Sequence, residues 1–361
     1  MKSINDLPKI VGIDPLKSIS YSTYLKTNSC ILNSIPNQNV LIHGSLTLNK
    51  RIPNKQVIIG NYFHNLLEET AHIKTINVKE LYRRFNEICD KQLLNITKKI
   101  KVMDKEFSSS IIYWSEIGDI QVTVWKILQD RLETNGKYYP EKKLFSKNGK
   151  VFGIIDELQT NNSLLTLTEY KSVYKTTPET ISKYLDQVYL YAYLIYENYE
   201  HYPDHIYLKG LLDNFVQLNV DKKRSFDIYN KLLNHLSWVN SKIIESANIQ
   251  ELCSINPNIC FNCRYRVICP SLKFNYQPDM MPSNKQMILI KIEKEKTLKT
   301  NIEYKAQALW GCIDNGEVRL VQNNKNIYLE PNKVYLLNNI SFDKNTQDIT
   351  IDNFSECYSS D

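Results

Sequence analysis

The sequence predicts an α/β protein with a helical N-terminal part, a small sheet between long helices, a cysteine-rich segment and a β-barrel-like C-terminal region. Three observations predict it. Apolar residues recur at intervals of three and four up to about residue 132. The pattern then changes to three short runs split by turn residues, with long helical stretches behind them. Past Pro282, five strand-like runs crowd into residues 286–357.

The chain has 361 residues, enough for two or three domains at roughly 150 residues each. The expected division is 1–280 and 281–361. Hydrophobic residues make up 42% and charged residues 23%, which excludes general disorder. The 45 basic and 39 acidic side chains leave a net charge of +6. That balance permits a nucleic-acid partner without demanding one. Met1 to Asp6 lack the apolar segment of a signal peptide. The longest apolar stretch, Val188 to Tyr196, is far shorter than the roughly 20 residues that span a bilayer. The expected compartment is intracellular, where thiols stay reduced and eight cysteines point to metal or packing before disulfides.

Ser20-Tyr21-Ser22 reads as a helix start and Val40-Leu41-Ile42 as a strand. From Gly60 to Cys89 the spacing of Phe63, Leu66, Leu67, Leu81 and Phe85 predicts helix, and 114–132 predicts another. Tyr138–Phe145, Lys150–Leu158 and Leu164–Lys171 read as an antiparallel meander, separated by Lys147-Asn148-Gly149 and Thr160-Asn161-Asn162. Pro178–Tyr199 reads as a long helix, 204–220 as two strands and 222–247 as a further helix. The tail runs are Gln286–Ile292, Lys305–Ile313, Glu317–Gln322, Lys333–Leu337 and Asp348–Ile351. Asp314-Asn315-Gly316 and Asn323-Asn324 separate two of them, and the set suggests a small barrel or sandwich.

Gly153-Ile154-Ile155-Asp156 and Glu169-Tyr170-Lys171 carry the strongest chemical signal. In a hairpin Asp156 and Glu169 converge, and Glu169 and Lys171, two apart, share a face. Two carboxylates and an ammonium make a hard-oxygen site for Mg²⁺ or Mn²⁺; a solvated charge pair on an exposed hairpin is the bland alternative. His64 at the start of an apolar helix is either a further ligand or an ordinary helix histidine. Gln187 and Tyr191, at i and i+4, share one helix face. Cys260, Cys263 and Cys269 form C-x2-C-x5-C, a spacing that holds three thiolates around one metal or cluster. Spacing leaves the fourth ligand open between Cys253 and Cys30.

The order of these features resembles the RecB-type branch of the PD-(D/E)xK nucleases, and most closely its iron–sulfur members, exonuclease V, the AddB nuclease domain and the CRISPR-associated Fe–S exonucleases. It runs from Ser20-Tyr21-Ser22 and Cys30 through Gly60-x3-His64, Gly-Ile-Ile-Asp156, Glu169-Tyr170-Lys171 and Gln187-x3-Tyr191 to the cysteines, over about residues 18–275. The resemblance implies a PD-(D/E)xK restriction-endonuclease-like core. It implies metal ligation by His64, Asp156, Glu169 and the Tyr170 carbonyl, with Lys171 acting on the attacking water and on phosphate charge. Gln187 and Tyr191 would support the site, and Glu141 would match an upstream acidic position. Cys30, Cys260, Cys263 and Cys269 would hold a 4Fe–4S cluster, leaving Cys253 spare, although Ile31 stands where the family has proline.

The implied function is a metal-dependent deoxyribonuclease, a single-stranded DNA exonuclease of repair, recombination or replication, acting on single strands or duplex ends. No G-x4-G-K-[ST] is present, so the expectation is a stand-alone nuclease or a subunit partnered by a helicase or a single-strand-binding protein. The rival readings are a catalytically idle subunit and a zinc-ribbon nucleic-acid-binding protein built on Cys253, Cys260, Cys263 and Cys269. The tail with Trp310, Tyr328, Tyr335 and Phe342 reads either as an OB-like barrel that stacks bases or as a packing module with core aromatics.

Overall fold

A computed structural model describes residues 2–3, 9–36, 40–43, 55–74, 77–103, 114–134, 136–171, 177–210, 216–260, 263, 265–277, 279, 281–283, 286–297, 302–313, 316–322, 328–351 and 355–359. The separators Asp314-Asn315 and Asn323-Asn324 lie outside them.

Along the chain come β1 (Lys2–Ser3), β2 (Lys9–Ile13), α1 (Tyr21–Thr27), α2 (Ile31–Ser34) and β3 (Val40–His43). Ser20 starts α1 as its sequence suggests, its Oγ accepting the Thr23 N–H at 3.3 Å. The helical stretch expected from Gly60 to Cys89 is two helices, α3 (Lys55–Thr70) and α4 (Val78–Met103). The break has a local cause: Asn77 Oδ1 accepts the N–H groups of Lys79 and Glu80 at 3.0 and 3.2 Å and starts a new helix. After α5 (Trp114–Glu133) follow β4 (Lys137–Phe145), β5 (Phe152–Asn161), β6 (Leu164–Tyr170), α6 (Pro178–Tyr199), β7 (His205–Lys209), β8 (Val216–Leu218) and α7 (Lys222–Glu245). The cysteine segment holds α8 (Pro257–Cys260) and α9 (Pro270–Asn275), and the tail is β9 (Gln286–Thr297), β10 (Ile302–Gly311), β11 (Glu317–Gln322), β12 (Val334–Asp343), β13 (Asp348–Ile351) and β14 (Glu356–Ser359).

The chain forms two compact units. One comprises residues 17–24 and 52–238. Its sheet runs β4-β5-β6-β7-β8, antiparallel except for β6 and β7, which are parallel and joined through α6. Parallel neighbours need a crossover, and α6 supplies it. Phe63, Leu66, Ile120 and Val124 of α3 and α5 bury their side chains with Tyr170 of β6.

The second unit comprises residues 1–16, 25–51 and 239–361. Here β9, β10, β11, β13 and β12 pair in a closed ring, β12 returning to β9, with β11 and β13 parallel and the other pairs antiparallel. Ile288, Ile290, Ala306, Leu320 and Ile349 fill it. Gly311 has φ +120°, and a Cβ there would run into the Met287 carbonyl oxygen. Of the two readings of the tail aromatics, the core reading holds for Tyr335 and Phe342, both buried in the barrel; Trp310 is half-buried against Tyr276, and Tyr328 is exposed. Cys260 and Leu272 of the cysteine segment bury themselves with Met281 and Met287. β14 was not marked by the sequence, and β1 lies beside it in parallel, Lys2 opposite Tyr358.

Candidate metal and catalytic site

The β4–β5–β6 meander sets the site. Glu157 pairs with Thr168 and Pro140 with Glu157, so alternation turns Asp156 and Glu169 to one face and Glu157 and Tyr170 to the other. The Tyr170 N–H donates to Asp156 Oδ2 at 2.7 Å, which fixes that carboxylate from the neighbouring strand. His64 of α3 brings Nδ1 to 3.2 Å from Glu141 Oε1 and 3.5 Å from Asp156 Oδ1. His64, Glu141 and Asp156 offer ligand atoms within 4.8 Å of one another. Glu141 has φ +46°, a left-handed conformation that a non-glycine residue adopts at a cost.

Glu169 is 1% exposed. Its Oε1 accepts from the Lys171 ammonium and from Gln187 Nε2, the latter at 3.0 Å. Its Oε2 is buried and has no hydrogen-bond partner among the described residues. Gln187 Nε2 also lies 2.7 Å from the Tyr191 hydroxyl oxygen, so the i, i+4 pair on α6 forms one bracket behind Glu169. Gly153 lets that bracket close, since a Cβ on it would meet the Tyr191 ring at 2.5 Å.

The electrostatics follow from crowding. Burial, then the Asp156 charge, pushes the Glu169 pKa up to about 8. Burial also raises Asp156, against the pull of His64 and Lys171. For His64 and Lys171 burial disfavours the charged form, yet the surrounding carboxylates outweigh it and hold both above their ordinary values. A hard divalent cation would replace these shared protons and supply the absent partner of Glu169 Oε2. The convergent donor set of His64, Glu141 and Asp156, with the Glu169 carboxylate beside it, fits Mg²⁺ or Mn²⁺.

The structure brings His64, Glu141, Asp156, Glu169, Lys171, Gln187 and Tyr191 together, with Tyr170 entering through its backbone. Two features escaped the sequence reading. Tyr184, three residues before Gln187, places its ring 4.3 Å from the Lys171 ammonium; its spacing of three and seven from Gln187 and Tyr191 was the available signal. Behind the sheet, Arg131 of α5 pairs with Glu157, which also accepts from the Tyr170 hydroxyl at 3.2 Å.

In the other unit, the cysteine thiols interact. Burial raises Cys30, Cys260 and Cys263, the last to about 12, and each is raised further by Cys269. Cys253 is raised first by a hydrogen bond with Cys269 and then by burial, and its thiol donates to the Ile249 carbonyl at 3.2 Å. Five thiols thus lie near enough to influence one another's protonation. Cys260 Sγ accepts the Asn256 N–H at 3.4 Å. Arg266 lies between Cys263 and Cys269 in the chain and is 0% exposed. Its guanidinium bonds to Asn338 of β12, whose Nδ2 donates to Glu356 of β14 at 2.8 Å.

Two carboxylates on adjacent strands, a lysine just past the end of one of them and a bracing helix form a site suited to a divalent cation. The sequence model of the PD-(D/E)XK nuclease superfamily matches residues 45–270, and the chain belongs to that superfamily. No curated protein matches. Similar solved structures include one described as "Crystal structure of SSO0001", at 17% identity over 58% of this chain and 95% of that one, with a TM-score of 0.25. One described as "Structural mimicry for functional antagonism" shares 9% identity over 62% and 88%, with a TM-score of 0.17. A murine DNA-binding protein bound with double-stranded DNA shares 10% identity over 62% and 94%, also at 0.17. Scores this low establish no common overall fold. Among the described residues, no helix is long and apolar enough to cross a membrane.

Proposed function

We propose that this protein is a metal-dependent deoxyribonuclease that digests single-stranded DNA from free ends, in repair, recombination or replication. The observation that carries the reading is the buried, partnerless Glu169 Oε2 beside Asp156, His64 and Lys171. A buried carboxylate oxygen without a partner is costly and is retained where something else binds it.

His64, Glu141, Asp156 and Glu169, with the Tyr170 carbonyl, would hold one or two divalent ions. When bound, such an ion offsets phosphate charge and acidifies a water. The chain's own residues do the rest. Lys171 holds a proton at Nζ and presents positive charge to the phosphate oxygens as they become more negative. The Tyr170 N–H keeps Asp156 oriented, and the Gln187–Tyr191 bracket keeps Glu169 oriented. Positioned groups of this kind spare the reaction the cost of ordering them at the transition state.

Cys30, Cys260, Cys263 and Cys269 are assigned to a 4Fe–4S cluster, since soft thiolates in this spacing suit such a centre. The contact between Cys253 and Cys269 favours a second reading, a zinc site with Cys253 as fourth ligand. Iron and zinc analysis of Cys30→Ser and Cys253→Ser separates them: the cluster reading expects loss of iron and brown colour from Cys30→Ser alone. The barrel, residues 281–361, is proposed as a small domain of OB type. The interchange of its last two strands and the parallel pairing of β11 with β13 support that. Its role is proposed as support for the cysteine segment through Arg266, Asn338 and Glu356. The main test is digestion of end-labelled single- and double-stranded oligonucleotides with Mg²⁺ or Mn²⁺. Absence of cleavage by anaerobically purified protein, or full cleavage by Asp156→Ala, overturns the reading.

A further inference from the structure

One exposed stretch near the candidate site is strongly basic. Between Lys137 and Val151, the hairpin of β4 and the turn into β5, five lysines stand against a single carboxylate, Glu141. Five lysines less one glutamate leave this hairpin a net charge of +4. On the barrel, by contrast, exposed cations are paired: Lys305 with Glu317 and Glu293, and Arg319 with Asp348. Of the five hairpin lysines, among the described residues, only Lys147 reaches a carboxylate, Glu200 at 3.9 Å.

The hairpin is aromatic as well as basic, and it leads away from the catalytic carboxylates. Lys143 pairs with Ile154 and Phe145 with Phe152. By alternation these are the next two rungs on the face that carries Glu141 and Asp156. Phe145 and Ile154 are each 42% exposed, which is unusual for large apolar side chains side by side. The Lys143 ammonium lies 4.8 Å from the Phe145 ring centre and 4.9 Å from that of Phe152. The two rings are 5.6 Å apart, tilted by 32°. At roughly 3.3 Å per residue, the two rungs lie about 7 and 13 Å along the strand from the carboxylates.

We propose that this edge hairpin is the track for a single-stranded nucleic acid. An unpaired base stacks on Phe145 and Ile154, and the hairpin lysines take the phosphates one or two nucleotides from the scissile bond. The inference rests on the nuclease reading above and adds the surface that holds the strand. The chemistry matches on both counts: phosphates need cations that no carboxylate already neutralises, and bases need an exposed aromatic face. An alternative role exists for lysines on an edge strand, because they deter edge-to-edge pairing. That role involves solubility and makes no demand on Phe145.

The test uses the full-length protein and a 5′-fluorescent single-stranded oligonucleotide, titrated by anisotropy in EDTA at several salt concentrations. Lys143→Gln should flatten the dependence of log affinity on log salt by about 0.7, the share of one phosphate contact. Phe145→Ala should weaken binding roughly tenfold and leave the salt dependence as in the parent. Lys143 and Phe145 are both exposed, and thermal melts confirm that the variants fold; Lys147→Gln/Lys150→Gln at the turn repeats the charge test independently. Lys305→Gln on the barrel should change neither quantity. The proposal is overturned if the lysine variants keep the parent slope, if Phe145→Ala binds like the parent, or if Lys305→Gln flattens the slope equally. A parent protein that fails to cut single strands with Mg²⁺ or Mn²⁺ overturns the nuclease reading instead, and normal cutting with unaffected variant binding overturns the track alone.

Discussion

Two polar clusters occupy opposite faces of the same two strands, and they are built from adjacent residues. Asp156 and Glu169 face one way; Glu157 and Tyr170, each the next residue, face the other. In the second cluster Arg131 pairs with Glu157 and donates to the Leu67 carbonyl at 3.1 Å, and the Tyr170 hydroxyl completes the carboxylate. There both carboxylate oxygens have partners within the protein, while Arg131 Nε has none among the described residues. In the first cluster one carboxylate oxygen has no partner among the described residues, and burial with like charge holds Glu169 near 8. A carboxylate matched in this way holds structure, and one left with an open oxygen is available for chemistry. A single-residue step along a strand is enough to separate the two roles.

The sharpest way to break the comparison is to exchange the expected effects. Asp156→Ala, Glu169→Gln and Lys171→Ala should each lower single-turnover cleavage on the order of a thousandfold or more. For Asp156→Ala and Glu169→Gln the melting temperatures without metal should not fall. Glu157→Ala should do the reverse in kind. Leaving Arg131 buried and unpaired costs about 3–5 kcal/mol, so urea midpoints should drop sharply while the folded fraction still cuts. If Glu157→Ala folded as well as the parent, the division of roles between the faces would be wrong.

A finer test uses pH. Glu169 has its folded pKa raised from 4.5 to about 8. Its contribution to metal-free stability is therefore fully present below about 4.5 and lost as pH rises through about 8. Metal-free protein should melt lower at pH 8 than at pH 6, and Glu169→Gln should lose most of that slope. Ligation requires Glu169 and His64 to give up protons. The rise in melting temperature on adding Mn²⁺ should therefore be larger at pH 8 than at pH 6. An Mn²⁺ effect that shrinks across this interval would contradict the ligand assignment.

The smallest expected effect is at Tyr184. Tyr184→Leu removes the ring beside Lys171 and should lower cleavage several-fold while Tyr184→Phe retains it, since a cation–π contact at a half-buried site contributes about 1 kcal/mol. Equal rates for Phe and Leu would remove Tyr184 from the site.

Much of this site was legible because strands and helices impose fixed periods. Glu169 and Lys171 share a face by strand alternation alone, and Gln187 and Tyr191 share one by helix geometry. The meander and the long helix over 178–199 were readable for the same reason. Glu141 was legible only through resemblance, since its left-handed φ has no glycine or asparagine to announce it. Asn77 with Glu80 three residues later did carry a helix-start signal that would have split α3 from α4. What local patterns do not encode is long-range pairing. The alignment of β1 with β14, and the burial of Arg266 against Asn338 seventy-two residues away, depend on contacts that only the closed barrel creates.

Gly153 sets a clearance. The Tyr191 ring lies where any other side chain would begin, at 2.5 Å from an ideal Cβ, and Tyr191 in turn anchors Gln187 and, through it, Glu169. A displacement at β5 therefore reaches the carboxylate through two hydrogen bonds, with no flexible link to absorb it. Gly153→Ala should behave like a machine part cut slightly oversize. Thermal melts should move little, because the ring can tilt aside, while cleavage falls on the order of a hundredfold, as expected for a reacting group misplaced by about an ångström.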